Sequence, residues 1–180
     1  MRISILVAIV LTSVPIQALA LDEGWMRSVE EAIPVVIDQY GSFIRNSSFE
    51  FQVSAILITA IIVVESLDDP TAVSSSGALG LMGVMPDTYA YIRKKLPHKH
   101  FGDDLFDPAT AIRAGTAYLY LLHREDEFDL ETPEEMAAGF YIGHNGASRR
   151  SMDELWNHWY VKRVMWVATH DSIPALIPRQ

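Results

Sequence analysis

The sequence predicts a mainly α-helical fold in a single globular domain, and three observations carry that prediction. Helix-start signatures recur along the chain: Asp107 before Pro108, Thr132 before Pro133 with Glu135, and Ser151 with Glu154. Each places a side-chain acceptor where the first turn of a helix leaves N–H groups unpaired. Apolar residues between these signatures return at three- and four-residue spacing, as on one face of a helix. No stretch shows the sustained two-residue alternation, bounded by tight turns, that marks half-buried strands. With 180 residues, 49% of them hydrophobic, the chain has the length of one ordinary domain and enough apolar material for a sizeable core.

The elements follow in order. Residues 1–20, MRISILVAIVLTSVPIQALA, carry one positive charge at Arg2, an apolar run from Ile3 to Leu11 and a small-residue ALA ending. That layout predicts a secretory signal peptide cleaved after Ala20, leaving the domain at residues 21–180. Export to the periplasm or cell envelope is the expectation. A helical pattern follows from about Asp22 to Ile44, with Pro34 expected to kink or break it. Ser47 and Glu50, in capping-box spacing, are expected to open the next helix, which runs almost wholly apolar to Val64. Its apolar run, Val53 to Val64, is 12 residues with Ser54 and Thr59 inside it, too short to cross a bilayer, so no stable membrane insertion is expected after signal cleavage. A short helix starts near Pro86 and closes before Pro97. The helix after Asp107 places Ile112, Tyr118, Leu119 and Leu122 on one face, and a further one follows Thr132. The last begins at Ser151, where Trp156, Trp159 and Trp166 with Tyr160 read as a buried stripe at helical period.

Composition excludes several classes. There is no cysteine, hence no disulfide and no zinc–thiolate site. The full chain has a formal net charge of −9, and without Arg2 the mature chain holds 13 basic and 23 acidic residues, net −10. Nucleic acid and anionic lipid both require clustered positive charge, which is missing. A neutral or mixed-charge polymer such as a polysaccharide fits. His98, His100, Asp103 and Asp104 superficially resemble a metal-ligand set but fall in a polar loop, which reads as a solvated segment; neither metal nor cofactor is expected.

One residue stands apart. The aliphatic helix AIIVVES ends on Glu65, and a loop rich in Ser and Gly follows, DDPTAVSSSGALGLMGVMP. An ionised carboxylate beside so much apolar surface is costly, so Glu65 either sits at a solvated helix end or has its protonation tuned for chemistry. Asp68 and Asp69 precede Pro70 and read as turn formers.

Glu65–Ser66, Ser74, Gly77–Ala78, Gly80–Leu81–Met82 and Met85–Pro86 stand at gapless spacing. This pattern resembles the signature of the soluble lytic transglycosylase family, lysozyme-like enzymes that cleave peptidoglycan. A second block is similar to the family's Asp-Pro…Gly-x-x-Tyr-Leu helix: Asp107, Pro108, Ile112, Gly115, Tyr118 and Leu119, with Ala111 where Asn is usual. A third, MAAGFYIGHNGASR, falls where the family has Ala-Tyr-Asn-Ala-Gly. The resemblance implies a goose-type-lysozyme-like catalytic domain in which Glu65 is the single acid/base. It further implies that Ser74, Met82, Met85 and Tyr141 line the glycan groove, with the Tyr141 hydroxyl orienting Glu65.

Two departures stand out. The family's Gln after Gly-Leu-Met is Gly83 here, so an amide contact to sugar is lost or made elsewhere. Aligning the third block on Tyr141 puts Ile142 at the family's Asn, whereas aligning on His144–Asn145 keeps Asn but puts His at Tyr; the small residues leading into Tyr141 favour the former.

The implied reaction cleaves the β-1,4 bond between N-acetylmuramic acid and N-acetylglucosamine. Glu65 would protonate the leaving oxygen and then, as a base, draw the proton from the sugar's 6-hydroxyl, closing a 1,6-anhydro ring without water. A free carboxyl with a pKa near 4 donates poorly at neutral pH, and the apolar run before Glu65, with Met82 or Met85 folding back, is expected to raise it. Two rivals remain: a hydrolytic lysozyme, which needs a positioned water and usually a second acid, and a non-catalytic glycan-binding or assembly module. Peptidoglycan strands are the expected partner, and a cell-envelope secretion apparatus that needs the wall opened locally is a further candidate.

Overall fold

The computed structural model describes residues 22–124, 130–143, 147 and 149–173. The signal-peptide segment and the His144–Asn145 alternative lie outside them. The described residues form helices α1 (Glu23–Phe51), α2 (Ala55–Ser66), α3 (Pro86–Lys95), α4 (Pro108–Arg124), α5 (Pro133–Ile142), α6 (Met152–Asn157) and α7 (Trp159–Ala168). Extended pairing among them is limited to two isolated antiparallel bridges, Val73 with Leu79 and Leu79 with Val84. The mainly helical prediction holds.

The first two helices divide differently from the sequence expectation. α1 runs unbroken through Pro34 and on past Ser47 and Glu50. Pro34 and Glu30, whose carbonyl loses its N–H partner, are both exposed, so water can take up that carbonyl. Ser47 is buried inside α1, and Glu50 has other partners. Arg113 of α4 grips its carboxylate from two nitrogens at 2.8 and 2.9 Å, and Lys99 adds a contact at 2.9 Å. α1 ends at Gln52, which takes a left-handed conformation (φ 56°), and Ser54 is the true N-cap of α2, accepting from Leu57 N–H.

The Arg113 pair ties the end of α1 to α4, and its strength is readable from acid. Arg113 holds the Glu50 carboxyl down at about 2, below its usual 4.5. A depressed carboxyl pKa gives stability that is complete above pH 4.5 and disappears as pH falls through 2. Arg113→Ala is expected to cost about 1 kcal/mol at pH 7, after allowance for solvent screening, and far less at pH 2. Urea denaturation at the two pH values measures the difference.

Three caps predicted from sequence are present. Asp107 Oδ2 accepts from Thr110 N–H at 2.8 Å, and Thr132–Glu135 and Ser151–Glu154 form reciprocal capping boxes. The stretch after Ser151 is two helices rather than one, broken at His158, whose ψ of 129° leaves the helical region while its ring accepts from Tyr160 N–H.

α2 is the hub. Leu57 to Val63 are all buried, with α1, α4 and α7 packed around them. Burying a helix on nearly every face demands a sequence with no polar stripe, which explains the almost uninterrupted aliphatics. Thr59 fits because its hydroxyl donates back to Ala55 C=O at 2.8 Å. No helix among the described residues is long and apolar enough to cross a membrane.

Candidate active site

Glu65 stands in the last turn of α2, where the apolar helix runs out. The chain leaves abruptly: Leu67 adopts φ 62°, and its N–H bonds back to Val63 C=O at 3.1 Å. Ser66 then fastens the helix end to the loop, donating to Ile62 C=O at 3.1 Å and Leu81 C=O at 3.0 Å. The loop folds on itself through paired bonds between Leu79 and Val84, at 3.1 and 3.0 Å, and through Gly80 N–H to Ala72 C=O at 2.9 Å. Its segment Gly80–Val84 is thereby laid over the end of α2.

Glu65 Oε1 accepts a hydrogen bond of 2.7 Å from the hydroxyl of Tyr160 on α7, 95 residues away in sequence. Tyr160 is 1% exposed, so the donor side of this contact is buried while Glu65 stands at the edge of the core. Its ring stacks on Tyr141 of α5, centroids 4.5 Å apart and planes at 19°. Burial pushes the Glu65 pKa up from 4.5 to about 7, with the Tyr160 hydrogen bond pulling the other way. Burial dominates because the carboxylate gives up water on most sides for one hydrogen bond. Burial and the neighbouring carboxyl also push the Tyr160 hydroxyl well above its usual range, so it stays a donor.

This arrangement sorts the two carboxyl oxygens. With Oε1 accepting from Tyr160, the proton of the acid form resides on Oε2. Among the described residues Tyr160 is the hydrogen-bond donor to this carboxyl, and it leaves Oε2 to carry the proton. The result is an acid held at one oxygen, with its pKa raised to about 7, so that it can both give and take a proton near neutrality.

The groove residues expected from the sequence fall in different places. Ser74 is exposed; its hydroxyl accepts from Ala78 N–H at 2.9 Å and lies 2.9 Å from the Ser76 hydroxyl, shaping the turn. Met85 is 37% exposed at the start of α3, and Tyr141 is 46% exposed. Met82 requires a correction. It is completely buried and lies across α4 at Gly115, where a Cβ would come within 2.8 Å of the Met82 Cβ. It pins the loop to the core and does not face the groove. The orienting hydroxyl also needs correcting: Tyr160, not Tyr141, bonds Glu65, and no hydrogen bond joins Tyr141 to it. A further correction concerns the aromatic stripe. Tyr160 is buried and Trp166 packs against Trp25, but Trp156 and Trp159 are 46% and 49% exposed because the break at His158 turns them outward. Trp159 lies edge-on to Tyr141, centroids 5.1 Å apart.

Two of the other acids named from the sequence are engaged elsewhere. Asp69 accepts from both N–H and hydroxyl of Thr71, a turn device, and Asp103 accepts from Arg93. Among the described residues no group of His, Asp and Glu could hold a metal ion.

Residues 42–149 match the family model described as the Transglycosylase SLT domain, which is more than half of the chain. The chain belongs to the SLT transglycosylase family. The chain is 32% identical over 116 residues to Membrane-bound lytic murein transglycosylase C of Actinobacillus succinogenes, and 34% identical over 116 residues to that of Salmonella arizonae. Each alignment covers 61% of this chain but only 32% and 31% of those relatives, so the chain spans about a third of their length. The fold matches an inactive mutant of lytic transglycosylase Slt from Pseudomonas aeruginosa with a TM-score of 0.66 at 22% identity, over 78% of this chain and 25% of that one. The lysozyme-like helical fold expected for an SLT domain is therefore present. Tyr160 lies beyond the matched residues, in the part of the chain where the motifs quoted from sequence give no guidance.

Proposed function

We propose that this SLT domain is a peptidoglycan lytic transglycosylase that cleaves the β-1,4 bond between N-acetylmuramic acid and N-acetylglucosamine with Glu65 as its one acid and base. The observation that supports this reading best is the isolation of Glu65. Desolvation and the Tyr160 hydroxyl are the influences on its proton, and no second carboxylate among the described residues acts on it. Glycosidases that hydrolyse usually place two carboxyls across the scissile bond. A lone buried acid suits a reaction in which the substrate supplies the second nucleophile.

In that reaction the Oε2 proton passes to the glycosidic oxygen as positive charge develops at the anomeric carbon, with the neighbouring N-acetyl group assisting departure. Glu65 is then ionised in an apolar surround, which makes it a strong base. It takes the proton of the sugar's own 6-hydroxyl, whose oxygen bonds to the anomeric carbon and closes the anhydro ring. Glu65 ends protonated, ready for the next turn. The exposed face formed by Tyr141 and Trp159 offers a wall on which a pyranose ring can stack, with Ser74 and Met85 in the loop as further groove contacts. Such a substrate lies outside the cytoplasm, consistent with export of the chain to the envelope, where a wall-crossing secretion machine is the partner class to test by co-purification.

Digestion of purified peptidoglycan followed by mass analysis tests the reading. Products ending in 1,6-anhydromuramic acid are expected. Reducing-end products would make it a hydrolytic lysozyme instead, and retention on the wall without any product would make it a binding module.

A further inference from the structure

Gly83 occupies the loop position directly over the acid. A Cβ built there would fall on Glu65 Oε2, lie 2.9 Å from its Cδ and 3.3 Å from its Cγ. Real Cβ atoms do not approach other atoms so closely, so the carboxyl fills the volume that any side chain at 83 would take. The backbone cannot swing aside freely. Gly83 has φ 56°, its N–H bonds to Gly80 C=O at 3.0 Å, and the next residue is locked to Leu79 by both backbone bonds. Nor can the loop lift, because Ser66 holds Leu81 C=O from below and Met82 is seated in the core. On its other side Glu65 is fixed by Tyr160.

We propose that Gly83 is a positioning residue: the absence of a side chain there is what lets the Glu65 carboxyl lie between the loop backbone and the Tyr160 hydroxyl, with Oε2 in its working place. Gly83 thus exchanges a sugar contact for a closer seat for the acid. Any Cβ would drive the carboxyl toward water and stretch or break the bond to Tyr160. This inference rests on the reading of Glu65 as the acid, but its physical content is separable from turnover.

Among the described residues, the groups that could compete for control of that proton are few. α7 contributes Tyr160, α5 contributes Tyr141 acting through it, and the loop contributes no charged group acting on Glu65. Displacement therefore leaves the acid better hydrated and more ionised.

The test uses Gly83→Asn and Gly83→Gln in the full chain. Asn tolerates left-handed backbone and so adds a Cβ with little backbone strain, whereas Gln restores the residue that the motif carries. Carbon-13 detection of the Glu65 carboxyl is expected to show its midpoint falling by a unit or more in folded Gly83→Asn. Anhydro-product formation should drop at least tenfold in both variants, even in Gly83→Gln. An unchanged midpoint in a folded variant would overturn the proposal, as would Gly83→Gln activity equal to or above wild type. If either variant folds poorly, the loss of stability is compared in the Glu65→Ala background. Relief there supports the collision, and an equal loss in both backgrounds, which strain alone would give, contradicts it. Wild type that makes no product yet shows the midpoint shift would refute the lytic reading while leaving the Gly83 contact standing.

Discussion

Glu65→Gln is expected to lower anhydro-product formation by about 10³-fold or more while making the protein more stable at pH 8. The first effect follows from the proposed role of Glu65, which gives and retakes the proton, since positioned acid–base catalysis is worth roughly 10²–10⁴-fold per role. The second follows from linkage. The Glu65 pKa is raised from 4.5 to about 7 in the fold, so between those values the folded state holds a proton that the unfolded chain releases. Stability then declines as pH rises from 4.5 through 7 and stays lower above it. An amide of the same shape keeps the Tyr160 bond, with its oxygen as acceptor, and never ionises. The gain should approach about 2–3 kcal/mol at pH 8 and vanish near pH 4. Denaturation of the two proteins at those pH values, beside product analysis, separates a lost proton from a lost fold. A substitution that disables catalysis and stabilises the protein is hard to explain unless Glu65 is strained for function.

Tyr160→Phe should reduce turnover by about 10–100-fold with little change in KM, because the substrate still meets the same groove but the acid is no longer fixed at Oε1. Tyr160 lowers the Glu65 pKa against the larger effect of burial, so its removal lets that pKa rise above 7. The basic limb of the pH–rate profile should therefore move to higher pH. Stability should fall by about 1 kcal/mol, the ordinary value of one hydrogen bond, since a phenyl ring refills the same space. A slower variant with an unmoved pH profile would mean that Tyr160 acts through packing alone.

Tyr160 also marks where sequence reading stopped. The position of Glu65 at the end of an almost wholly apolar helix was legible, because a carboxylate in that setting must be either hydrated or perturbed. The loop motif and the caps at Asp107, Thr132 and Ser151 were legible for similar local reasons. The partner of Glu65 was not, since 95 residues separate it from Tyr160 and no local spacing encodes the contact. A weak signal existed: a tyrosine in a buried stripe needs an acceptor for its hydroxyl, and Glu65 was the conspicuous acid bordering the apolar core. Met82 was misplaced because a motif does not say which side of a loop faces inward; Gly115 on α4 opens the notch that receives it. Glu50 was misread because capping spacing and a distant Arg113 compete for the same carboxylate, and the partly buried ion pair with its two bonds prevailed.

The site rests on the Glu65 carboxyl keeping its proton near neutrality. Selective carbon-13 labelling of glutamate, with the Glu65 resonance assigned by its loss in Glu65→Gln, reads that proton directly in the folded wild-type protein. A midpoint near 7 is predicted. A midpoint near the ordinary 4.5 would mean the carboxyl is hydrated after all, and the mechanism built on it would fail.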